Sequence, residues 1–486
     1  MKEIQIELPG DVADIIHTLE QAGFEAYAVG GCVRDNILQR EPQDWDITTS
    51  AKPQEVKQLF PRTVDTGIVH GTVTVLKNRV GYEVTTYRID GEYEDSRHPN
   101  RVEFTDDIAL DLERRDFTIN AMAYNDSRGL VDEFHGLDDL REGIIRCVGS
   151  PGDRFDEDAL RMLRAVRFSG QLCFSIEEET RQAAVERAAN LKNISAERIR
   201  VELTKLLTAR DAGKIREAYR MGMTRVFLPE LDAMMELDQR NPHHIFTVGE
   251  HSIRCVEIMN YFFGKYADGG MVEAIPEDVY ASAETLLSDF TEKQHMILCV
   301  TMLLHDLGKV ETMTVDENGI GHFYGHQEIS AERASRILRR LTFDNETIST
   351  ARKLIRYHDY QFGDKSGSMR RAMAKIGREL MPMLFLVRYC DILAQNPAMA
   401  EGKLSRVAGA IRLWRQVEES GAALTLKELD ISGRDLMALG VPPGPQLGEY
   451  LQGALEWVLE FPDNNHREML IEFVKENAVN TKKTDK

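Results

Sequence analysis

The pattern of apolar residues changes near residue 150, and this change limits the chain to two kinds of domain. Before it, short apolar runs alternate with amphipathic segments, which is typical of a sheet covered by helices. The run 26–29 predicts a buried strand, while 72–77 and 82–88 predict alternating strands. From residue 151 onward the spacing is almost wholly helical. We therefore expect an α/β domain followed by helical domains.

Length and composition set the remaining limits. The 486 residues suit three or four domains of ordinary size, and we predict divisions at 1–150, 151–235, 236–400 and 401–486. No run approaches the ~20 apolar residues that span a bilayer. The six cysteines never form C-x-x-C, which is typical of reduced thiols in a cytosol. We therefore expect a cytoplasmic protein with no membrane partner.

The first candidate site lies after the first predicted strand. Gly30-Gly31 predicts a tight turn into a helix, where phosphate could approach the backbone and Arg34 could bind it. Asp44 and Asp46 stand two residues apart, on one face of a strand predicted at 44–50. Carboxylates can hold the metal ions that stabilise the attacking and leaving oxygens of nucleotidyl transfer. Taken singly, a glycine pair can be only a turn, and D-x-D can be a solvated strand end.

A row of charged residues forms the second candidate site, on a helix predicted to begin near Glu157. Its members recur every three residues, so neighbouring members share one face: Asp158, Arg161, Arg164 and Arg167. Leu160 and Leu163 belong to an apolar stripe beside this row. A ladder of ion pairs on solvent would look similar, but a row that borders the core can also line a cleft.

Residues 30–49, GGCVRDNILQREPQDWDITT, resemble the signature of the DNA polymerase β-type nucleotidyltransferases. The resemblance is to the class that contains bacterial CCA-adding enzymes and poly(A) polymerases. Four further segments match that class in the same order, and the match covers roughly the first 210 residues: 70–88, 114–124, 157–168 and 194–203. The class implies a head made of a mixed sheet with helices, followed by a helical neck, body and tail.

The resemblance also implies roles for individual residues. Asp44 and Asp46 would be catalytic and would bind Mg²⁺, with Glu83 as an accessory carboxylate. The nucleotide would be bound by Gly31, Arg34, Arg115, Asp158, Arg161, Arg164 and Arg167, in a pocket shaped by Asp116 and Asn120. The substrates would be CTP, ATP and the 3′ end of tRNA. The tail segment 424–452 would hold the tRNA elbow, although a structural helical hairpin could have the same pattern.

A third set of residues resembles the HD phosphohydrolase superfamily. His251 and the adjacent pair His305-Asp306 match its pattern, and MLLHDLGK at 302–309 is the most specific segment. Three later residues follow in the expected order with a looser alignment: His326, His358 and Asp391. Imidazole nitrogen and carboxylate oxygen both suit a divalent transition metal. The resemblance implies hydrolysis of phosphorylated 3′ ends, whereas buried core histidines would need no metal.

Three features favour addition of CCA to tRNA. A loop is predicted at 90–101, which enzymes adding only CC lack; Glu157-Asp158 occurs with Arg161; and the tail resembles one that grips tRNA. A net charge of −20 argues against a protein that coats nucleic acid indiscriminately. The alternatives are an enzyme that adds only the terminal A beside a separate CC-adding enzyme, a poly(A) polymerase, and an HD phosphohydrolase with a vestigial head.

Overall fold

The computed structural model describes residues 4–90, 102–266 and 275–484. The chain divides into two compact units, Met1–Asp232 and Ala233–Lys486. From residue 91 onward, the loop predicted at 90–101 lies outside the described residues. The finer boundaries predicted at 150, 235 and 400 stay predictions.

A mixed sheet is the centre of the first unit. The strands of this unit are β1 (Ala26–Val29), β2 (Asp46–Thr49), β3 (Thr63–Gly67), β4 (Thr72–Lys77), β5 (Val80–Thr86), β6 (Arg88–Asp90), β7 (Val102–Phe104), β8 (Ala123–Asn125), β9 (Gly129–Val131), β10 (Ile144–Ile145) and β11 (Ser175–Ile176). Seven of them form one sheet in the order β3-β4-β5-β2-β1-β8-β9. Only β2 and β5 pair in parallel within it. The strands predicted at 26–29 and 72–77 are confirmed. The strand predicted at 82–88 both begins and ends two residues earlier, and Arg88 belongs to β6.

Helices cover this sheet and continue beyond it. They are α1 (Gly10–Gln21), α2 (Gly31–Ile37), α3 (Pro53–Leu59), α4 (Ile108–Glu113), α5 (Gly136–Glu142), α6 (Pro151–Glu157), α7 (Leu160–Leu172), α8 (Glu178–Arg187), α9 (Ala196–Leu207), α10 (Ile215–Arg220), α11 (Thr224–Phe227) and α12 (Pro229–Glu236). The division between the two units falls within α12. α1 buries Val12, Ile15, Ile16 and Leu19, the spacing of an amphipathic helix on a core. β1 has a neighbour on each side and is buried at all four residues, which explains its unbroken apolar run.

The helix predicted from Glu157 is interrupted at its start. α6 ends at Glu157, α7 begins at Leu160, and Asp158 lies between them with φ −144° and ψ 101°. The Asp158 carboxylate accepts a hydrogen bond from the Leu160 main-chain N–H at 3.1 Å, as a capping side chain does. The prediction of one continuous helix is therefore wrong at Asp158, while Arg161, Arg164 and Arg167 remain together on α7.

The second unit is helical. Its helices are α13 (Val248–Phe262), α14 (Glu277–Leu287), α15 (Glu292–Leu304), α16 (Lys309–Thr312), α17 (His326–Arg340), α18 (Asn345–Tyr357), α19 (Ser366–Ile376), α20 (Met381–Leu393), α21 (Glu401–Glu419), α22 (Gly433–Ala438), α23 (Pro445–Glu460) and α24 (Arg467–Thr484). α15 and α20 are buried along most of their length, and α13 packs against both. Because α20 is apolar nearly all round, it fills the core of this unit. Between α16 and α17, the short strands β12 (Thr314–Val315) and β13 (Gly321–His322) form a hairpin.

A mixed sheet with helices, followed by a helical remainder, is the fold class that the sequence predicts. Among the described helices, none is both long enough and apolar enough to cross a bilayer.

Candidate active site and candidate metal centre

The turn between β1 and α2 requires glycine at position 30. Gly30 has φ 81°, a conformation that other residues rarely adopt. A Cβ atom there would also lie 3.1 Å from Nη1 of Arg115. The missing side chain therefore lets the Arg115 guanidinium approach the turn closely, and Gly31 opens α2 directly after it.

Three carboxylates lie at one place on the sheet. Asp46 is the first residue of β2, and Asp44 precedes that strand in irregular chain, so the predicted strand at 44–50 is shorter. Ile47 of β2 pairs with Val84 of β5, which places Glu83 beside Asp46. All three residues are partly open to solvent, and their carboxylate oxygens do not all lie within 4.8 Å of one another. This spacing leaves room for the phosphate oxygens and waters that Mg²⁺ prefers beside one or two carboxylates.

The electrostatics of this place favour a cation. Loss of solvent is the main cause of a raised pKa at Asp46, although part of that residue remains exposed. The charge of Arg115 opposes the rise, and the charges of Glu83 and Asp44 add to it. A raised carboxyl pKa among like charges means that the ionised form is disfavoured until a positive charge joins the group.

Arg115 has hydrogen-bonding capacity to spare. Burial lowers its pKa, an effect that the charge of Asp111 opposes, and the two side chains approach to 3.6 Å. Its Nε is buried with no hydrogen-bond partner among the described residues. A guanidinium beside the glycine turn is therefore available to an anion.

A chain of hydrogen bonds joins α2 to α7. Arg34 Nη1 donates to Asn120 Oδ1 at 2.6 Å, and Asn120 Nδ2 donates to Asp116 Oδ1 at 3.0 Å. Arg164 Nε then donates to Asp116 Oδ2 at 2.8 Å. Burial alone would raise the pKa of Asp116, but Arg164 and Asn120 hold it well below its ordinary value. The pocket residues predicted from the sequence are thus held in one network.

Asp158 and Arg161 both have partners within the unit. Arg198 of α9 donates to both oxygens of Asp158, at 3.2 and 2.6 Å. Arg161 pairs with Glu157 at 2.5 Å and donates from Nη2 to the carbonyl oxygen of Arg114 at 3.0 Å. Both side chains are therefore fixed in position before any base arrives.

Arg164 and Arg167 surround the ring of Phe168 on α7. Their guanidinium carbons lie 5.4 and 3.7 Å from the ring centroid. Arg167 also donates to Glu202 at 2.5 Å and to Gln171 at 2.7 Å, and burial lowers its pKa to about 10. This geometry favours a packing role for Arg167, and its contact with nucleotide stays a prediction.

Six side chains of the second unit converge in its interior. They are His251, His305, Asp306, His326, His358 and Asp391, the histidine–aspartate cluster. Asp306 is central: its Oδ1 lies 3.4 Å from His326 Nε2 and 3.6 Å from His358 Nε2. Its Oδ2 lies 3.3 Å from His305 Nε2 and 3.6 Å from His251 Nε2. Asp391 Oδ1 is 3.2 Å from His251 Nε2. The structure thus brings all six sequence positions together.

The four imidazoles are oriented in the same way. Each places Nδ1 at hydrogen-bond distance from a main-chain carbonyl oxygen, 2.7 Å in three cases and 3.2 Å in the fourth. The pairs are His251 with Ala394, His305 with Met302, His326 with Phe323, and His358 with Ile355. If each Nδ1 carries the proton, each Nε2 presents a lone pair to the centre, as metal-binding histidines do.

Buried polar atoms that form no hydrogen bond within the described chain make this cluster a candidate metal centre. His305 Nε2 and both carboxylate oxygens of Asp306 are buried and form no hydrogen bond with the described residues. Lys309 Nζ lies 2.7 Å from Asp306 Oδ2 as an ion pair, but without hydrogen-bond geometry. Leaving such atoms unpaired costs about 1–3 kcal/mol each. Imidazole nitrogens and carboxylate oxygens together suit a divalent transition metal.

The charges of the cluster depend on one another. Burial alone would raise the pKa of Asp306, but His305 and Lys309 hold it well below its ordinary value. Burial alone would lower the pKa of His305, but Asp306 raises it. Burial lowers the pKa of His358 to about 3, so this imidazole is neutral and can bind a metal at ordinary pH.

Three segments of the chain match known protein families. Residues 26–146 match the Poly A polymerase head domain, and residues 173–235 match the Probable RNA and SrmB-binding site of polymerase A. Residues 312–474 match tRNA nucleotidyltransferase domain 2. The CCA-adding enzyme of Levilactobacillus brevis is 35% identical over 444 residues, 91% of this chain and 91% of that enzyme. The chain belongs to the CCA-adding enzyme family.

Other members of the CCA-adding enzyme family agree with this assignment. The enzyme of Lactobacillus delbrueckii subsp. bulgaricus is 54% identical over 198 residues, which are 41% of this chain and half of that enzyme. The crystal structure of the Bacillus stearothermophilus CCA-adding enzyme in complex with CTP superposes with a TM-score of 0.69 at 28% identity. That match covers 98% of this chain and 100% of that chain. Family members use a divalent metal, typically Mg²⁺, at the transferase site.

Sequence reasoning missed three residues of these sites. Lys309 follows Asp306 by three positions in the HDLGK segment, so the spacing could have indicated it. Cys255 lies one helical turn after His251, and its Sγ is 3.7 Å from His251 Nε2. Arg198 lies in the segment 194–203, but nothing in the sequence connects it with Asp158.

Proposed function

We propose that this chain adds CCA to the 3′ end of tRNA, taking the nucleotides from CTP and ATP without a nucleic-acid template. The observation that carries the proposal is the grouping of Asp44 and Asp46 with the Gly30 turn and the guanidinium of Arg115, whose Nε has no hydrogen-bond partner among the described residues. Carboxylates for a cation and donors for a triphosphate thus lie at one place. The relationship to CCA-adding enzymes over 91% of the chain supports the same reaction.

In this proposal Asp44 and Asp46 would hold Mg²⁺, and the nearby charge of Glu83 would add to the attraction for the cation. When bound, the cation neutralises charge on the attacking 3′ oxygen and on the leaving pyrophosphate. Arg115 and Arg34 bind the triphosphate. The terminal 3′ hydroxyl of tRNA attacks the α-phosphorus and gives up its proton to solvent, and pyrophosphate leaves with the electrons of the broken P–O bond.

Asp158 and Arg161 choose the base. Cytosine and adenine both present an exocyclic amino donor beside a ring-nitrogen acceptor. The Asp158 carboxylate can accept from the amino group, and the Arg161 guanidinium can donate to the ring nitrogen. Uracil and guanine present the reverse order and would leave polar groups unpaired, at about 1–3 kcal/mol each. Arg198 fixes the position of Asp158, and Glu157 fixes the position of Arg161.

The remaining parts follow from the tRNA substrate. The tail segment 424–452 would hold the tRNA elbow, and the head would bind the 3′ end of the same tRNA. The six cysteines are all free of disulfides, and a tRNA substrate also fits a cytoplasmic enzyme.

The test uses purified protein with three tRNA substrates that end before CCA, after C and after CC. A CCA-adding enzyme extends all three to the full end with CTP and ATP. Extension of only the third would identify an A-adding enzyme, and long A tracts would identify a poly(A) polymerase. No extension of any substrate would contradict nucleotidyl transfer.

We propose a second activity, metal-dependent hydrolysis of phosphate esters, for the histidine–aspartate cluster. It rests on four imidazoles whose Nε2 atoms all face Asp306 or Asp391. A bound transition metal would supply an activated water at neutral pH. The measurement is metal content after loading with Mn²⁺, Ni²⁺ or Co²⁺, followed by hydrolysis of 3′-phosphorylated and 2′,3′-cyclic nucleotides. A protein that takes up none of these metals contradicts the proposal.

A further inference from the structure

A small cavity adjoins the histidine–aspartate cluster in the second unit. It has a volume of about 130 Å³ and lies beside α20 and the first turns of α21. Its wall includes Asp391, which also faces His251 in the cluster. The cluster and the cavity therefore share one carboxylate, and a molecule in the cavity would lie next to this one proposed metal ligand.

Three cations line this cavity: Arg388, Lys403 and Arg406. Lys403 is half-buried, and Nζ donates to the neutral amide oxygen of Gln395. No carboxylate oxygen of the described chain lies within 4.0 Å of Nζ. Burial lowers the pKa of Lys403; Asp391 opposes this, and Arg388 adds to it. Because the Lys403 ammonium lies near other positive charges and has no carboxylate partner among the described residues, it favours the binding of an anion.

Arg388 connects the cavity to the cluster. It is buried, and Nη1 donates to the carbonyl oxygen of His358 at 2.8 Å and to Asp359 at 2.9 Å. The same nitrogen is 3.5 Å from Asp391 Oδ2. Gln395 donates to the other oxygen of Asp391 at 3.0 Å. The carboxylates of the wall are thus already engaged by Arg388 and Gln395, whereas Lys403 and the exposed Arg406 are not paired with them.

We propose that this cavity, the Lys403 cavity, binds the phosphoryl group of the molecule that the cluster hydrolyses. The inference rests on the proposed hydrolytic function of the cluster. It names the class of substrate as a phosphate monoester, whose terminal group carries close to two negative charges. A volume of about 130 Å³ is below the ~300 Å³ of ordinary ligand pockets, so we expect the cavity to hold the phosphate group while the rest of the substrate lies outside it.

A phosphate monoester and a cyclic phosphate diester differ in charge, and the cavity should distinguish them by it. Three cations and two carboxylates line the cavity, so its side chains carry a surplus of one positive charge before any metal binds. A dianionic monoester is attracted more strongly by these cations than a monoanionic 2′,3′-cyclic phosphate. Lys403 and Arg406 would determine that preference, because Arg388 is already engaged by Asp359 and Asp391.

The experiment measures binding separately from catalysis. Full-length protein loaded with Mn²⁺ is dialysed against radiolabelled inorganic phosphate, and its metal content is determined in parallel. We expect phosphate to bind the wild type, and Lys403→Gln to weaken binding about tenfold or more, the scale of a lost charged hydrogen bond. Lys403→Arg keeps the charge and should retain most of the affinity. Arg412→Gln, on the same helix and outside the cavity, is the matched control. Competition by 3′-AMP should exceed competition by 2′,3′-cyclic AMP.

The possible failures are distinguishable. If the protein takes up no metal, the hydrolytic function is wrong and this inference falls with it. If metal is bound but Lys403→Gln binds phosphate as tightly as the wild type, only the inference is overturned. Equal competition by the two nucleotides would overturn the preference for a monoester.

Discussion

The guanidinium of Arg198 donates two hydrogen bonds to the carboxylate of Asp158, at 3.2 and 2.6 Å, across 40 residues of sequence. The same carboxylate accepts from the Leu160 N–H and separates α6 from α7. Arg198 therefore fixes the orientation of a residue that we propose reads the incoming base.

The first prediction concerns this pair. Arg198→Gln should reduce discrimination against UTP and GTP about tenfold, because a charged hydrogen bond that orients Asp158 is lost. The measurement is single-nucleotide incorporation into truncated tRNA from each of the four nucleotides. In an Asp158→Ala background the same substitution should have almost no further effect, as a double-mutant cycle requires for coupled residues. Arg200→Gln, on the same helix, is the control. An equal effect of Arg198→Gln in both backgrounds would contradict the coupling.

The second prediction concerns Asp158 and Arg161, which we propose select the base. Replacing both Asp158 and Arg161 with alanine should slow addition of C and A and also remove most of the selection against U and G. Two mismatches of ~1–3 kcal/mol each correspond to selection on the order of a hundredfold or more. If the double variant still excludes UTP and GTP as strictly as the wild type, another part of the protein chooses the base.

The third prediction concerns acid stability. The pKa of buried Asp116 is held well below its ordinary value, with Arg164 the strongest of the charges that lower it. Its ionised form therefore stabilises the fold above the unfolded-state pKa of ~3.9, and this contribution is lost as pH falls toward the folded-state pKa. The difference in unfolding free energy between the wild type and Asp116→Asn should be larger at pH 5 than at pH 3. An unchanged or growing difference at pH 3 would mean that the carboxylate is not stabilised by Arg164.

The fourth prediction is that the two sites are separable. His305→Ala with Asp306→Ala removes two groups of the cluster and should abolish both metal uptake and any phosphate-ester hydrolysis. The rate of CCA addition should stay within about twofold of the wild-type rate, since His305 and Asp306 do not belong to the proposed transferase site in the first unit. The measurements are metal content, hydrolysis and tRNA extension on the same preparation. Hydrolysis that survives the double substitution would place that activity elsewhere.

Much of both sites could be predicted from the sequence because local spacing carries the signal. The apolar run Ala26–Val29 is a buried strand as expected, and Gly30 takes a conformation that requires glycine. His305 and Asp306 are adjacent in sequence, so their joint position was expected. His326, His358 and Asp391 were predicted only by their order, and the fold brings them to the same centre.

What the sequence could not predict depends on contacts between distant segments. The interruption at Asp158 is stabilised by Arg198, which no local pattern connects with it. The packing of Arg167 against Glu202 and Phe168 likewise depends on how α7 and α9 meet, so a regular row of arginines has members with different surroundings. The Lys403 cavity combines three separate segments of the second unit, and charge spacing along the chain does not indicate it.

The most direct test of the account is the rate of nucleotide addition by Asp44→Asn and Asp46→Asn on tRNA that ends before CCA. Each substitution removes a charge that we propose holds Mg²⁺, so the rate should fall by more than ~100-fold while tRNA binding persists. Asp65→Asn removes an exposed carboxylate from the same sheet, where it pairs with Lys57, and should leave the rate nearly unchanged. Addition at close to the wild-type rate by either Asp44→Asn or Asp46→Asn would contradict the assignment of these aspartates as the catalytic pair.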